Sequence, residues 1–344
     1  MINTQTIHII KAERRQRQRR WLLVNSLLVM LGLVLCSTML LLGNTIYSID
    51  VVIRTLMGES IDGASFAINT IRLPRMLAGL LAGFAFGIAG NVFQTMLRNP
   101  LANPEILGIT AGSSAAALFC ILVLQTSNAV VSMSSLVAGL VTVMLIYGFA
   151  RIGTFSTGRL ILIGISFQAM LGAFISYLQL IGRQEDLSAA LRWLSGSLNG
   201  SQLDAVIPLL IGIAICAPIV IGLSRHLSIL ELGDQAAVAL GLNTNVTRIL
   251  LIVSSVCMIA LATSVTGPIA FVAFLAGPIA KRLIGGSSSS VIPAGLLGMN
   301  LVLGADLLGQ FAFGTRFPVG IITGVLGAPF LLFLLIQMNR RGNL

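Results

Sequence analysis

RLPRMLAGLLAGFAFGIAGNVFQTMLRNPLANPEILG, residues 72–108, decides how this chain is read. An apolar run close to the roughly 20 residues that a bilayer core demands opens on Arg72 and Arg75 and closes at a doubled Asn-Pro turn beside Arg98. The pattern predicts a membrane helix flanked by basic ends. Gly79, Gly83 and Gly87 recur every four residues, with Gly90 near the same face, so a neighbouring backbone can approach this helix closely. Asn99-Pro100 and Asn103-Pro104 favour extended or turn geometry before each proline, and Glu105 then falls in the first helical turn, where the helix dipole favours negative charge.

The rest of the chain repeats this kind of span. Hydrophobic residues make up 56% and charged residues only 9%, and the mean hydropathy is +0.98. A soluble domain carries about a quarter charged residues, so the composition points to a polytopic, all-α membrane protein. The 36 glycines against 6% aromatics suit helices that meet through small residues. Ten apolar spans are expected, at 21–43, 76–96, 105–125, 129–150, 160–182, 203–223, 247–265, 268–285, 291–308 and 318–338. They form a single membrane domain, 21–338, between a basic tail, 1–20, and a short tail, 339–344. The first run is too long for a signal-peptide core and lacks a small-residue cleavage site, which favours an uncleaved span. Gly267, Pro268, Gly277 and Pro278 interrupt the eighth, as in helices that are broken or shortened.

Ten spans place both termini on one side. Of the 21 Lys and Arg residues, only Arg54, Arg72, Arg75, Arg183, Arg192 and Arg316 fall opposite the termini, so the positive-inside rule puts both termini in the cytoplasm of a multi-pass bacterial inner-membrane protein. The formal charge of +10 is therefore topology and not a nucleic-acid surface. The longest internal cytoplasmic loop is then SRHLSILELGDQAAVALGLNTNV, 224–246, and 44–75 forms an external loop. Cys36, Cys120, Cys216 and Cys257 each lie alone in an apolar run, and His8 and His226 lie outside the spans, so no metal site is expected. No phosphate-binding loop occurs, and neither Lys11 nor Lys281 follows a glycine. Any ATP must be used by a partner.

Several motifs occur together and in order. RLPRMLAGLLAGFAFGIAG and QTMLRNPLANPEILGITAGSSAAA are followed by LRWLSGSL (191–198), LELGDQAAVALGLN (230–243), GPIAFVAF (267–274) and PVGIITGVLGAPFLLFLL (318–335). From about residue 72 onward the chain resembles the FecCD-type permeases, membrane subunits of ABC importers for iron-siderophore complexes, haem and cobalamin. The resemblance implies a ten-helix subunit of type II importer architecture. It also implies a second permease subunit, related but not identical, two cytoplasmic ATPases and an external substrate-binding protein. The chain itself would bind no cofactor and catalyse no reaction. Ferric siderophores are the favoured cargo, with haem or cobalamin as alternatives.

By the same resemblance Arg72 and Arg75 are candidates for docking the binding protein, and simple anchoring of a helix end is the alternative. Where relatives carry an arginine after the aspartate of the ninth span, this chain has Gln310 after Asp306, so either Arg316 supplies a docking contact in its place or this subunit contributes fewer contacts than its partner. Relatives also commonly have Pro-His where Gly277-Pro278 stands here. In the loop 224–246, Leu230, Leu232, Ala236, Ala237 and Leu240 can form one apolar side of a short helix, with Glu231, Asp234 and Gln235 at its flanks and Gly233 and Gly241 at its turns. This is the expected ATPase-coupling element, and a helix lying on membrane lipid is the alternative. Asn91, Gln94 and Thr95, with Ser166 and Gln168, are candidates for the translocation path. Asp306 keeps a rival reading open, an ion-coupled secondary transporter, because carboxylates within spans are functional candidates by default, and a structural pairing with Arg316, near it in sequence at the helix end, is the alternative.

Overall fold

With no water to satisfy backbone groups inside a bilayer, a chain of this composition must be helical where it crosses. The computed structural model describes residues 4–150, 157–285 and 289–340, and among them only helices and connecting turns occur. The helices are α1 (Thr4–Leu41), α2 (Ile49–Leu56), α3 (Leu73–Met96), α4 (Ile109–Phe119), α5 (Asn128–Ala150), α6 (Thr157–Ile181), α7 (Gln184–Leu194), α8 (Leu203–Gly222), α9 (Ser224–Leu230), α10 (Asp234–Ala239), α11 (Thr244–Thr266), α12 (Val272–Ile284), α13 (Val291–Phe311) and α14 (Val319–Arg340). A π-helical stretch, Phe66–Arg72, leads into α3, and another, Cys120–Leu124, extends α4. Seven helical segments are long and apolar enough to cross a membrane, within α1, α3 with its lead-in, α5, α6, α8, α11 and α13. Shorter apolar helices at Ile109–Leu124 and Val319–Leu334, together with the 13-residue α12, bring the crossings to about ten.

Three boundaries differ from the sequence reading, each for a local reason. The first helix begins before Trp21, because the basic segment is helical from Thr4 onward and continuous with the apolar run in α1. The loop 44–75 contains α2, whose Val52 and Thr55 are buried beside Ile68 of the π-helical lead-in. The eighth span starts only at Val272, because Gly267 (φ 68°) ends α11 and Phe271 (φ 65°) sits at the start of α12. The irregular backbone between them is held inside the protein, where Ile269 is buried.

α3 is the stem of the bundle. Of its most apolar window 83% is buried, against 11% for α6, and it packs on α13, α11, α12 and α8. The glycine stripe makes these contacts possible. A Cβ on Gly83 would overlap the Gly298 carbonyl of α13, one on Gly87 the Ala294 carbonyl, and one on Gly90 the Ala273 carbonyl of α12. α13 answers with its own small residue, since a Cβ on Gly298 would overlap the Gly83 carbonyl.

Because backbone atoms cannot yield as side-chain tips do, Gly90→Ala should lower stability in detergent by about 1–3 kcal/mol. Gly172→Ala on α6, where a Cβ meets nothing within 4 Å, should be neutral or slightly stabilising. Thermal unfolding of the two purified variants checks this contrast.

Candidate functional site

The residues singled out in the sequence fall into three groups along the bundle: the face carrying the termini, the middle, and the opposite or distal face. On the distal face, the paired arginines of the RLPR motif point to different partners. Arg72, 9% exposed, donates through Nη1 to the carbonyls of Leu40 (2.7 Å) and Leu41 (3.0 Å) and through Nη2 to that of Thr45 (2.6 Å). It also lies 4.9 Å from the Tyr47 ring centre. It therefore caps the end of α1, where helix carbonyls lack intrahelical partners. A guanidinium so occupied is not the exposed docking contact expected from the motif.

Arg75 instead forms a two-pronged ion pair with Asp306 of α13, Nε to Oδ2 at 2.9 Å and Nη2 to Oδ1 at 2.8 Å. Gln310, one turn on, donates to the same carboxylate at 2.7 Å, and Arg75 Nη1 reaches Asn199 Oδ1 at 3.5 Å. The side chains are 13% and 1% exposed. The partner of Asp306 is thus Arg75, and not the Arg316 placed beside it by sequence proximity. Arg316 is exposed and donates to Asn44 Oδ1. Asp306 is therefore a paired carboxylate and not a lone one.

Between the two faces, with Asn91, Gln94 and Thr95 in the last turns of α3 before the terminal face, the expected path residues do not converge. Asn91, Gln94 and Thr95 are buried inside the helix packing. Gln94 Nε2 donates to the Phe274 carbonyl at 2.9 Å, and Asn91 Oδ1 accepts from Ser290 Oγ at 2.8 Å, so both fasten α3 to its neighbours. Ser166 and Gln168 lie on the exposed side of α6, and Ser166 bonds its own preceding turn at Leu162. Ser166 and Gln168 thus remain open to a neighbour, whereas the α3 trio does not.

On the terminal face, residues 224–246 do not form one amphipathic helix. Gly233, at φ 106°, separates α9 from α10 in a conformation that disfavours any side chain. Leu230 and Ala237 turn inward, while Leu232, Val238 and Leu240 are 65%, 60% and 63% exposed. The acidic residues on either side of the break are taken by bases from two different helices: Glu231 pairs with Lys281 of α12 at 2.8 Å, and Asp234 with Arg248 of α11. Arg98, itself at φ 51° in the turn after α3, lies against Gly233. In the neighbouring turn Asn103 Oδ1 accepts from the Glu105 backbone N–H, and burial pushes the Glu105 carboxyl above its ordinary range.

One feature escaped the sequence reading. A cavity of about 790 Å³ opens on the distal face between α5, α7, α8 and α11, lined by Asp186, Arg192, Trp193, Asn199 and Asp204 among others. The helix that shapes it, α7, carries Glu185 and Asp186 in its first turn and Arg192 in its last. That charge order is a legible helix signal between two longer apolar runs.

Removing one partner of the Arg75–Asp306 pair leaves a charge buried without compensation. Arg75→Met should cost about 3–5 kcal/mol, and Arg75→Met combined with Asp306→Leu should recover most of that loss. Denaturation of the single and double variants measures both.

The comparisons with known proteins bear on this architecture. The FecCD transport family profile matches residues 28–337. FepG, a ferric enterobactin transport system permease protein of Escherichia coli K12, is 36% identical over 294 residues, covering 84% of this chain and 88% of its own. FepD, which carries the same description in the same organism, is 33% identical over 320 residues, 92% of this chain and 95% of its own. Among solved structures, an inward-facing conformation of a metal-chelate type ABC transporter superposes with a TM-score of 0.81 at 28% identity, covering 91% of this chain and 99% of that one. The chain, a multi-pass helical membrane protein, belongs to the FecCD transport family.

Proposed function

We propose that this chain is one of two permease subunits of an ATP-driven importer for ferric siderophores, and that its terminal face lies in the cytoplasm. The observation that carries the reading is the match along almost the whole chain to permeases described as serving ferric enterobactin, on a fold shared with a metal-chelate transporter. Two such permeases, FepG and FepD, occur in one organism under one transport description, which supports a related, non-identical chain as the second subunit. The weakly buried α5 and α6 offer it a surface, with Ser166 and Gln168 toward the path between the subunits.

In this reading the chain performs no chemistry and binds no cofactor. Two partner ATPases hydrolyse ATP and grip the elbow formed by α9 and α10 through exposed Leu232, Val238 and Leu240. A binding protein delivers the chelate to the distal face, where exposed Arg316 presents charge and Arg75 shows only its rim. Single exposed ion pairs contribute on the order of 0–1 kcal/mol, so docking rests on several contacts and a matching surface. The termini, 1–20 and 339–344, belong to the cytoplasmic side in this reading, residues 1–3 and 341–344 lying outside the described residues.

Uptake of radioactive iron, offered as a panel of ferric siderophores and haem with labelled cobalamin in parallel, tests the assignment in cells with and without the gene. The expected result is loss of uptake of a ferric siderophore on deletion, with uptake blocked by ATP depletion but not by an uncoupler while ATP is maintained. Uptake that follows the ion gradient, or loss of haem or cobalamin uptake alone, would replace the mechanism or the cargo respectively. Arg316→Glu should weaken uptake chiefly at low chelate concentration, as expected for a docking defect.

A further inference from the structure

The elbow on the terminal face is tied to the far side of the bundle by α8, which runs directly into α9, and by α11 and α12, which are joined through residues 267–271. At the terminal end, Glu231 and Asp234 bracket the Gly233 break and are held by Lys281 and Arg248, the former near the end of α12 and the latter near the start of α11. At the distal end the end of α11 and the linker that joins it to α12 meet the end of α7 and the segment that follows it. Ser197 N donates to the Thr266 carbonyl at 2.8 Å, and a Cβ on Gly196 would overlap the Pro268 carbonyl. A Cβ on Gly267 would likewise overlap the Trp193 carbonyl. These are backbone-to-backbone contacts, with no flexible side chain between them to absorb a displacement. Midway, Gln94 and Gly90 seat α12 on the α3 stem.

We propose that Glu231 is a positioning residue: by holding Lys281 it fastens the elbow to α12, so that a displacement of the elbow reaches the segment after α7 on the distal face. The inference rests on the importer reading and adds to it the residue pair through which ATPase motion enters the bundle. The two side chains are 34% and 48% exposed, so the pair adds little to folding stability. Its energy is nevertheless enough to bias a two-state element, since about 1 kcal/mol corresponds to about a fivefold change in population. A charge swap tests whether the pair carries this coupling.

The test uses the complex purified through a tag on this chain, reconstituted in proteoliposomes, with ATP hydrolysis, ferric siderophore uptake and thermal midpoint measured together. Glu231→Lys and Lys281→Glu should each reduce uptake per ATP hydrolysed about fivefold while leaving the thermal midpoint near wild type. The double variant Glu231→Lys/Lys281→Glu should recover most of that ratio. Unchanged ratios in the single variants would overturn the proposal, and so would a double variant no better than the worse single. Loss of the thermal midpoint in the single variants with full recovery in the double would also overturn it, by making the pair a structural brace. A wild-type complex without ATP hydrolysis would instead overturn the importer reading, and the proposal with it.

Discussion

Close approach of backbones at the α3–α13 crossing is the constraint from which the rest of the structure follows. In lipid, apolar surface gains little by leaving one hydrocarbon environment for another, so helices adhere through short-range packing and a few polar bonds. Gly83 and Gly87 facing Gly298 and Ala294 give that packing its closest geometry. Once α3 is enclosed on this side, Gly90 can seat α12 and Gln94 can bond its carbonyls. The helices left at the edge, α5 and α6, keep large apolar faces free for lipid or for a second subunit.

Polar groups are concentrated where this packing would otherwise leave something unsatisfied. Arg72 accounts for the end carbonyls of α1, and Arg75 with Gln310 neutralises and saturates Asp306 at the distal end of the stem. On the terminal face the two acidic residues of the elbow are matched to α11 and α12. The exposed leucines and valine between these tethers are thus free to meet a partner while the elbow stays attached to the bundle. This division of labour, fixed stem and tethered elbow, is the physical form in which the proposed importer would take up motion from partner ATPases.

The spans and the glycine stripe were legible in the sequence because both depend on local pattern: apolar length, four-residue spacing and Asn-Pro turns. The roles of the charged residues were not. Arg75 finds Asp306 from 231 residues away, and Glu231 finds Lys281 from 50 away, so neither pairing leaves a trace in local spacing. Asp306 was read beside Arg316 because they are near in sequence, yet the helix end carries them to different neighbours. The elbow was read as one helix because its apolar residues fit one face. Gly233, read there as a turn point, in fact separates two short helices. Asn91, Gln94 and Thr95 looked like channel polarity, but on the most enclosed helix of a bundle polar side chains serve neighbouring helices.

Distances between spin labels test the stem-and-elbow account most directly. With Cys36, Cys120, Cys216 and Cys257 each replaced by alanine, labels at exposed Ile71 and Leu308 report on the α3–α13 unit, and labels at Val238 and Leu308 report on the elbow. Compared between the nucleotide-free and ATP-trapped complexes, the account predicts an unchanged Ile71–Leu308 distance and a shifted Val238–Leu308 distance. A change in the first as large as in the second would contradict it, because the backbone contact at the centre of the bundle would then be a moving joint and not the fixed stem.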